Sequence, residues 1–216
     1  MAQLRFFLSK VILGRRMKEL LVMIFCMFLA ATGHAKTNFM EQSEGLAQWI
    51  PLAEQGDASA QTKLGILYYK GDGVPQNYAA AKEWLEKAAA QGHAGAQRAL
   101  GFSYYQGNGV RQDYTVAKQW YEKAAAQGNA DAQFQLGGLY YFGYGVAQDY
   151  TIAKQWYEKA AAQGNTDAQF QLGGLYYFGY GVPQNYAATK EWFGRACDNG
   201  LQLGCDGYKR LSTRGK

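Results

Sequence analysis

The chain has 216 residues, 48% of them hydrophobic and 15% aromatic. That richness excludes a disordered chain, and the length allows one ordinary domain or a short repeat array. The net charge of +5 sits mostly at the N-terminus: residues 1–35 carry five of the 22 basic residues and one of the 17 acidic ones, leaving 17 against 16 beyond. No basic face remains to argue for nucleic acid.

The N-terminus reads as a targeting segment. Met17-Lys18-Glu19 leads into an apolar run from Leu20 to Ala31, and the small residues Gly33 and Ala35 precede Lys36. A charged start, an apolar middle and a small-residue site describe a signal peptide over 1–35. Its apolar run is short for a membrane span. An uncleaved anchor is the alternative. Met17 makes the cleaner start, which leaves residues 1–16 as an upstream extension. Cleavage near Lys36 would place the mature chain outside the cytoplasm, periplasmic or secreted, with no stable membrane anchor.

Residues 41–56 end in Gln55-Gly56, as later segments end in Gln91-Gly92. They form an N-terminal capping half-repeat, with a helix expected over 44–54 and Pro51 as its first turn or a kink. Four units follow at 57–92, 93–128, 129–164 and 165–200. The stretch DAQFQLGGLYYFGYGV occurs twice, at 131–146 and 167–182, with looser copies at 59–74 and 95–110. A fixed period of 36 residues signals a repeat architecture. In each unit Ala60, Leu64 and Leu67 or their counterparts mark one helix face, and Tyr78, Ala81, Leu85 and Ala88 mark another. Asp57, Asn129 and Asn165 are plausible N-caps, and His93 is the weaker residue at that place. The Gly-x-Gly turns end the first helix of each unit. Residues 201–216 form a C-terminal cap with a polar outer side.

Gly65, Gly101, Gly137 and Gly173 sit inside first helices, each costing ~1 kcal/mol relative to Ala. Such recurrence requires a close approach there. The expected partner is the facing helix, with Trp84, Trp120, Trp156 and Trp192 beside Ala81, Ala117 and Ala153.

These in-phase positions resemble the Sel-like repeats, a branch of the tetratricopeptide-related solenoids: AxAQ, LG, YY, GxGV, AKxW and AAAQG at 36-residue spacing over 45–205. The resemblance implies an all-α, right-handed α/α solenoid of four helix-turn-helix repeats with capping helices. It also implies a non-catalytic scaffold, most simply a monomer, that binds a partner protein or peptide. Cys26 leaves with the signal peptide. Cys197 and Cys205 remain, in phase with Ala89 and Gln97. Their C-x7-C spacing is similar to the disulfide-bearing, cysteine-rich bacterial branch, which implies a Cys197–Cys205 disulfide stapling the terminal unit. A reactive or metal-binding pair is the alternative.

Motifs for chemistry are few. One histidine, His93, follows the signal segment, and no SxxK, GxSxG, HExxH, P-loop or dinucleotide fingerprint occurs. No catalytic residue, metal or cofactor is expected. Relatives of the cysteine-rich branch with a β-lactamase or penicillin-binding label supply the alternative, a cell-wall-related hydrolase.

Positions that vary between units are free for recognition. Units three and four put Phe134, Phe142 and Tyr144, then Phe170, Phe178 and Tyr180, where units one and two carry Thr62, Lys70, Asp72 and Arg98, Gln106, Asn108. Aromatic anchors are common hot-spot residues. These six are the candidate binding residues, on first helices that the resemblance places along the concave face. The competing reading is that the rings fill space left by Gly138 and Gly174, which replace Ile66 and Phe102.

Overall fold

The computed structural model describes residues 46 and 48–214. The signal-peptide reading and most of the N-terminal cap fall outside the described residues. Residues 49–54 are helical, Pro51 among them. Nine helices of 13 residues follow: α1 (Ala58–Lys70), α2 (Tyr78–Ala90), α3 (Ala94–Gln106), α4 (Tyr114–Ala126), α5 (Ala130–Phe142), α6 (Tyr150–Ala162), α7 (Thr166–Phe178), α8 (Tyr186–Asp198) and α9 (Gln202–Arg214). The described residues contain no strand. Each helix packs on its neighbours in sequence, which makes an α/α solenoid of four hairpins.

Local chemistry sets the helix limits. Asp57, His93, Asn129 and Asn165 cap first helices, and Asn77, Asp113, Asp149 and Asn185 cap second ones, by accepting from backbone N–H groups of the first turn. His93 fills that role through Nδ1, which accepts from Ala96 N at 3.3 Å. Gly143 ends α5 in the left-handed region at φ 74°. Gly145, two residues on, is also left-handed, and a Cβ there would meet the Tyr114 backbone at 2.8 Å. The second turn glycine thus seats the hairpin on the previous one.

The core consists of alanines with leucines from the first helices and one larger side chain, Leu85, Tyr121, Tyr157 or Phe193, from each second helix. Ala81, Ala117, Ala153 and Thr189 are buried, and the Thr189 hydroxyl donates to Asn185 O at 2.8 Å. A Cβ on Gly101 or Gly137 would lie 2.6 or 2.5 Å from the ring of Tyr121 or Tyr157, and one on Gly173 would lie 2.5 Å from Phe193. Gly65 meets Leu85 in the same way. The close approach expected from the sequence is present, but its partner is not tryptophan. A helix turns 100° per residue, so the residue after each Trp lies on the buried stripe. The Trp rings are half-buried off that stripe, with Lys87, Lys123, Lys159 and Arg195 over them at 4.1–4.6 Å.

Hairpins are joined by a recurring amide pair. Gln61 Nε2 donates to Ala53 O, and Gln91 Nε2 donates to Gln61 Oε1. Gln97 with Gln127, Gln133 with Gln163, and Gln169 with Asn199 repeat the pattern. At the fifth junction the phase positions of Ala53 and Gln61 hold Cys197 and Cys205, which are disulfide-bonded. A covalent link replaces a hydrogen bond. The polar outer side expected for the last segment is only partial: Leu203 and Tyr208 of α9 are exposed among Lys209, Arg210 and Thr213.

Three measurements of thermal or urea unfolding test this packing. Gly173→Ala should destabilise by about 1–3 kcal/mol through overlap with Phe193, whereas Gly174→Ala, whose Cβ would meet nothing within 4 Å, should stabilise by up to about 1 kcal/mol. The Tyr121 hydroxyl is buried without a hydrogen-bond partner. Leu85 and Phe193 occupy the same slot elsewhere, so Tyr121→Phe should raise stability by about 1 kcal/mol. Replacing Cys197 and Cys205 by Ser should cost about 2.5 kcal/mol, and hydrogen exchange should then speed up first in α8 and α9.

Candidate functional site

The six candidate residues divide into two layers. Phe134 rests on Tyr157 with centroids 5.7 Å apart, and Phe170 stacks on Phe193 at 5.0 Å. Both are half-buried. Phe142 and Phe178 are 54% and 58% exposed, and Tyr144 and Tyr180 are each 37% exposed. Each exposed pair is stacked: Phe142 on Tyr144 at 5.3 Å and Phe178 on Tyr180 at 5.4 Å.

The exposed pairs belong to one ribbon. Ten rings follow without a break: Tyr105, Tyr114, Tyr144, Phe142, Tyr141, Tyr150, Tyr180, Phe178, Tyr177 and Tyr186, with successive centroids 4.6–5.7 Å apart. The helix-leading Tyr114 and Tyr150 are the links between units. Tyr144 stacks on Tyr114 at 4.8 Å, and Tyr180 stacks on Tyr150 at 4.6 Å. The sequence reading left these tyrosines out. Their signal was available, because every second helix begins with Tyr at the repeat period. Its meaning requires knowing that the turn of one unit lies on the helix start of the one before.

Upstream the same place is polar. Asn108, in phase with Tyr144, donates from Nδ2 to Tyr69 Oη at 2.6 Å. The ribbon therefore begins at α3 and α4 and is a property of the downstream half. Recurring glutamines hold its backbone: Gln112, Gln148 and Gln184 donate to the carbonyls of Tyr105, Tyr141 and Tyr177.

The rings do not fill the space vacated by Gly138 and Gly174. A Cβ on Gly138 would find only Tyr157 Oη, at 4.0 Å, and one on Gly174 would find nothing. The space at Gly174 opens into a cavity of about 520 Å³ between α7 and α9, lined by Tyr141, Phe170, Gly174, Phe178, Phe193 and Leu203, with Asp206 and Arg210 beside them. Phe170 and Phe178 thus share one recess. The remaining candidates lie outside it. Its α9 wall was not anticipated from the sequence, because the last segment reads as a cap.

Electrostatics offer little for catalysis. Burial pushes the Tyr121 and Tyr157 phenols above their ordinary range, so both stay neutral. The raised Lys82 and Lys118 ammonium groups are held by hydrogen bonds to Glu86 and Glu122 on the helix surface. Among the described residues, no group of three or more His, Cys, Asp or Glu side chains could hold a metal ion. No helix among them is long and apolar enough to cross a membrane. The hydrolase alternative finds no support in the comparisons that follow.

The Sel1 repeat family model matches residues 58–93, 94–129, 130–165 and 166–201. A comparison with curated proteins yields no match. Among solved structures, a protective antigen present in uropathogenic Escherichia coli strains, displaying an SLR fold, is 35% identical with a TM-score of 0.73, over 79% of this chain and 36% of that one. A Sel1 repeat protein from Oxalobacter formigenes is 37% identical with a TM-score of 0.65, over 69% of this chain and 60% of that one. Cysteine rich protein B of Helicobacter pylori is 27% identical with a TM-score of 0.48, over 58% of this chain and 95% of that one. This chain spans about a third of the length of the first of these and less than two thirds of the second. With four consecutive matches over most of the described residues and the solenoid built from them, the chain belongs to the Sel1 repeat family.

Proposed function

We propose that this protein is an exported, non-catalytic scaffold that captures a partner protein or peptide on the ring-bearing face of its first helices. Sel1 repeat proteins are generally interaction scaffolds. The observation that carries the narrower reading is the ribbon of ten rings, five of them exposed: Phe142, Tyr144, Phe178, Tyr180 and Tyr186. Phe142 and Phe178 are solvent-facing aromatics, 36 residues apart, on a face where units one and two present Lys70 and Gln106. Exposed apolar surface of this kind stabilises a complex when a partner covers it. It is the side that would line the concave surface of such a solenoid.

Export is supported by two independent features. The leader-like segment at 1–35 fits a signal peptide. The Cys197–Cys205 disulfide fits an oxidising compartment, periplasmic or extracellular. A monomer carrying one such face is the simplest working form.

The test is affinity capture from an envelope fraction with wild type and a Phe142→Ala/Phe178→Ala double variant. Both side chains are exposed, so the variant should fold with unchanged melting behaviour. The expected outcome is a loss of at least about tenfold in recovery of the specific partner. Equal recovery by the two proteins would sink this reading.

A further inference from the structure

The ring-bearing face ends in charge. Where α5 carries Phe134 and Gly138, and α7 carries Phe170 and Gly174, the in-phase residues of α9 are Asp206 and Arg210. The cavity between α7 and α9 joins the two chemistries: Phe170, Gly174 and Phe178 on one side, and Leu203, Asp206 and Arg210 on the other.

The two charges differ in what already occupies them. Asp206 Oδ1 accepts from Gln202 Nε2 at 3.0 Å. Among the described residues no carboxylate lies within 4 Å of the Arg210 guanidinium. Among the described residues neither charge is ion-paired; Asp206 has a hydrogen bond from Gln202 and the Arg210 guanidinium has none, so the group beside the recess left without a polar partner is a cation. It lies next to open space above Gly174, floored by the stacked rings of Phe170 and Phe193.

We propose that this cavity takes an acidic–aromatic peptide segment of the partner: a bulky apolar side chain enters the recess over Gly174, and an adjacent Asp or Glu carboxylate meets Arg210. The inference rests on the reading of this face as a peptide-binding surface and adds a charge rule to it. The recess supplies apolar contact, which carries most of the affinity. The guanidinium presents a planar fork that matches a carboxylate in two hydrogen bonds. Because Arg210 is exposed, screening limits the pair, so it sets selectivity more than strength. Asp206, one helical turn away, disfavours the same carboxylate.

The test uses three blocked peptides: acetyl-Gly-Ser-Phe-Glu-Ser-Gly-amide, and the same peptide with Gln or Lys in place of Glu. Each is titrated into the disulfide-intact protein and followed by NMR shifts. The Glu peptide should bind about two- to fivefold more tightly than the Gln peptide, with the Lys peptide weakest. Raising salt from about 50 mM to about 500 mM should shrink the difference. Arg210→Gln should bring the Glu and Gln peptides level, and Asp206→Asn should tighten the Glu peptide. Equal binding of Glu and Gln peptides to wild type, tighter binding of the Lys peptide, a preference that survives Arg210→Gln, or no binding at all overturns the inference. Phe178→Ala separates the two levels. Lost affinity there without any charge preference removes only the charge rule. Unchanged affinity for every peptide counts against the whole face.

Discussion

Each hairpin closes on a glycine. At Gly65, Gly101, Gly137 and Gly173 the second helix brings a side chain so near that a single added methyl would overlap it. This contact fixes the depth at which the two helix layers meet, and other features depend on that depth. The residue behind it changes from Leu85 to Tyr121, Tyr157 and Phe193, yet the glycine stays. A bulky side chain packed this close to backbone gains dispersion contacts, which offset the helix penalty of glycine. The cost appears at Tyr121, whose hydroxyl is carried into the interior without a partner.

The same closeness explains the groove chemistry. Since the second-helix ring fills the interior, the first helix is free to vary on its other side. There the chain installs Phe102 over one hairpin and Gly138 or Gly174 over the next two. Glycine at these positions leaves open space rather than a second close approach. Two adjacent glycines, Gly173 and Gly174, thus do opposite things: one admits a neighbour, the other leaves a recess. Phe178 beside that recess stacks on Tyr180, which stacks on Tyr150 at the helix start of the unit before, so it is held in place while still exposed. Such preorganised rings need less ordering on binding.

Continuity along the solenoid comes from the glutamine pairs. Each of the four hydrogen-bonded junctions satisfies two side-chain amides and one backbone carbonyl, with Asn199 in place of the second glutamine at the last, so the units stack in one register. The disulfide takes over this role where the last unit begins. It sits on the phase positions of a hydrogen bond, so it tightens an existing junction instead of creating a new geometry.

Much of the fold was legible in the sequence because repetition exposes what packing requires. The 36-residue period, the caps, the Gly-x-Gly turns and the apolar stripes are local or in-phase signals, and they appear as helices, helix ends and core, except that the tyrosine leading each second-helix stripe lies outside the core. The partner of the helical glycines was misassigned by one residue, since Trp84 and Leu85 are adjacent in sequence but 100° apart on a helix. The two exposed aromatic pairs were named from their departure at otherwise polar positions. Period and composition alone specify the kind of solenoid, the aromatic character of its downstream half and the cysteine pair in phase with the junctions. Packing between units sets which rings join into a ribbon, that Gly174 opens a recess, and that Arg210 stands beside it. Those facts depend on side chains from different units meeting across turns, and no periodicity within one unit records such a meeting.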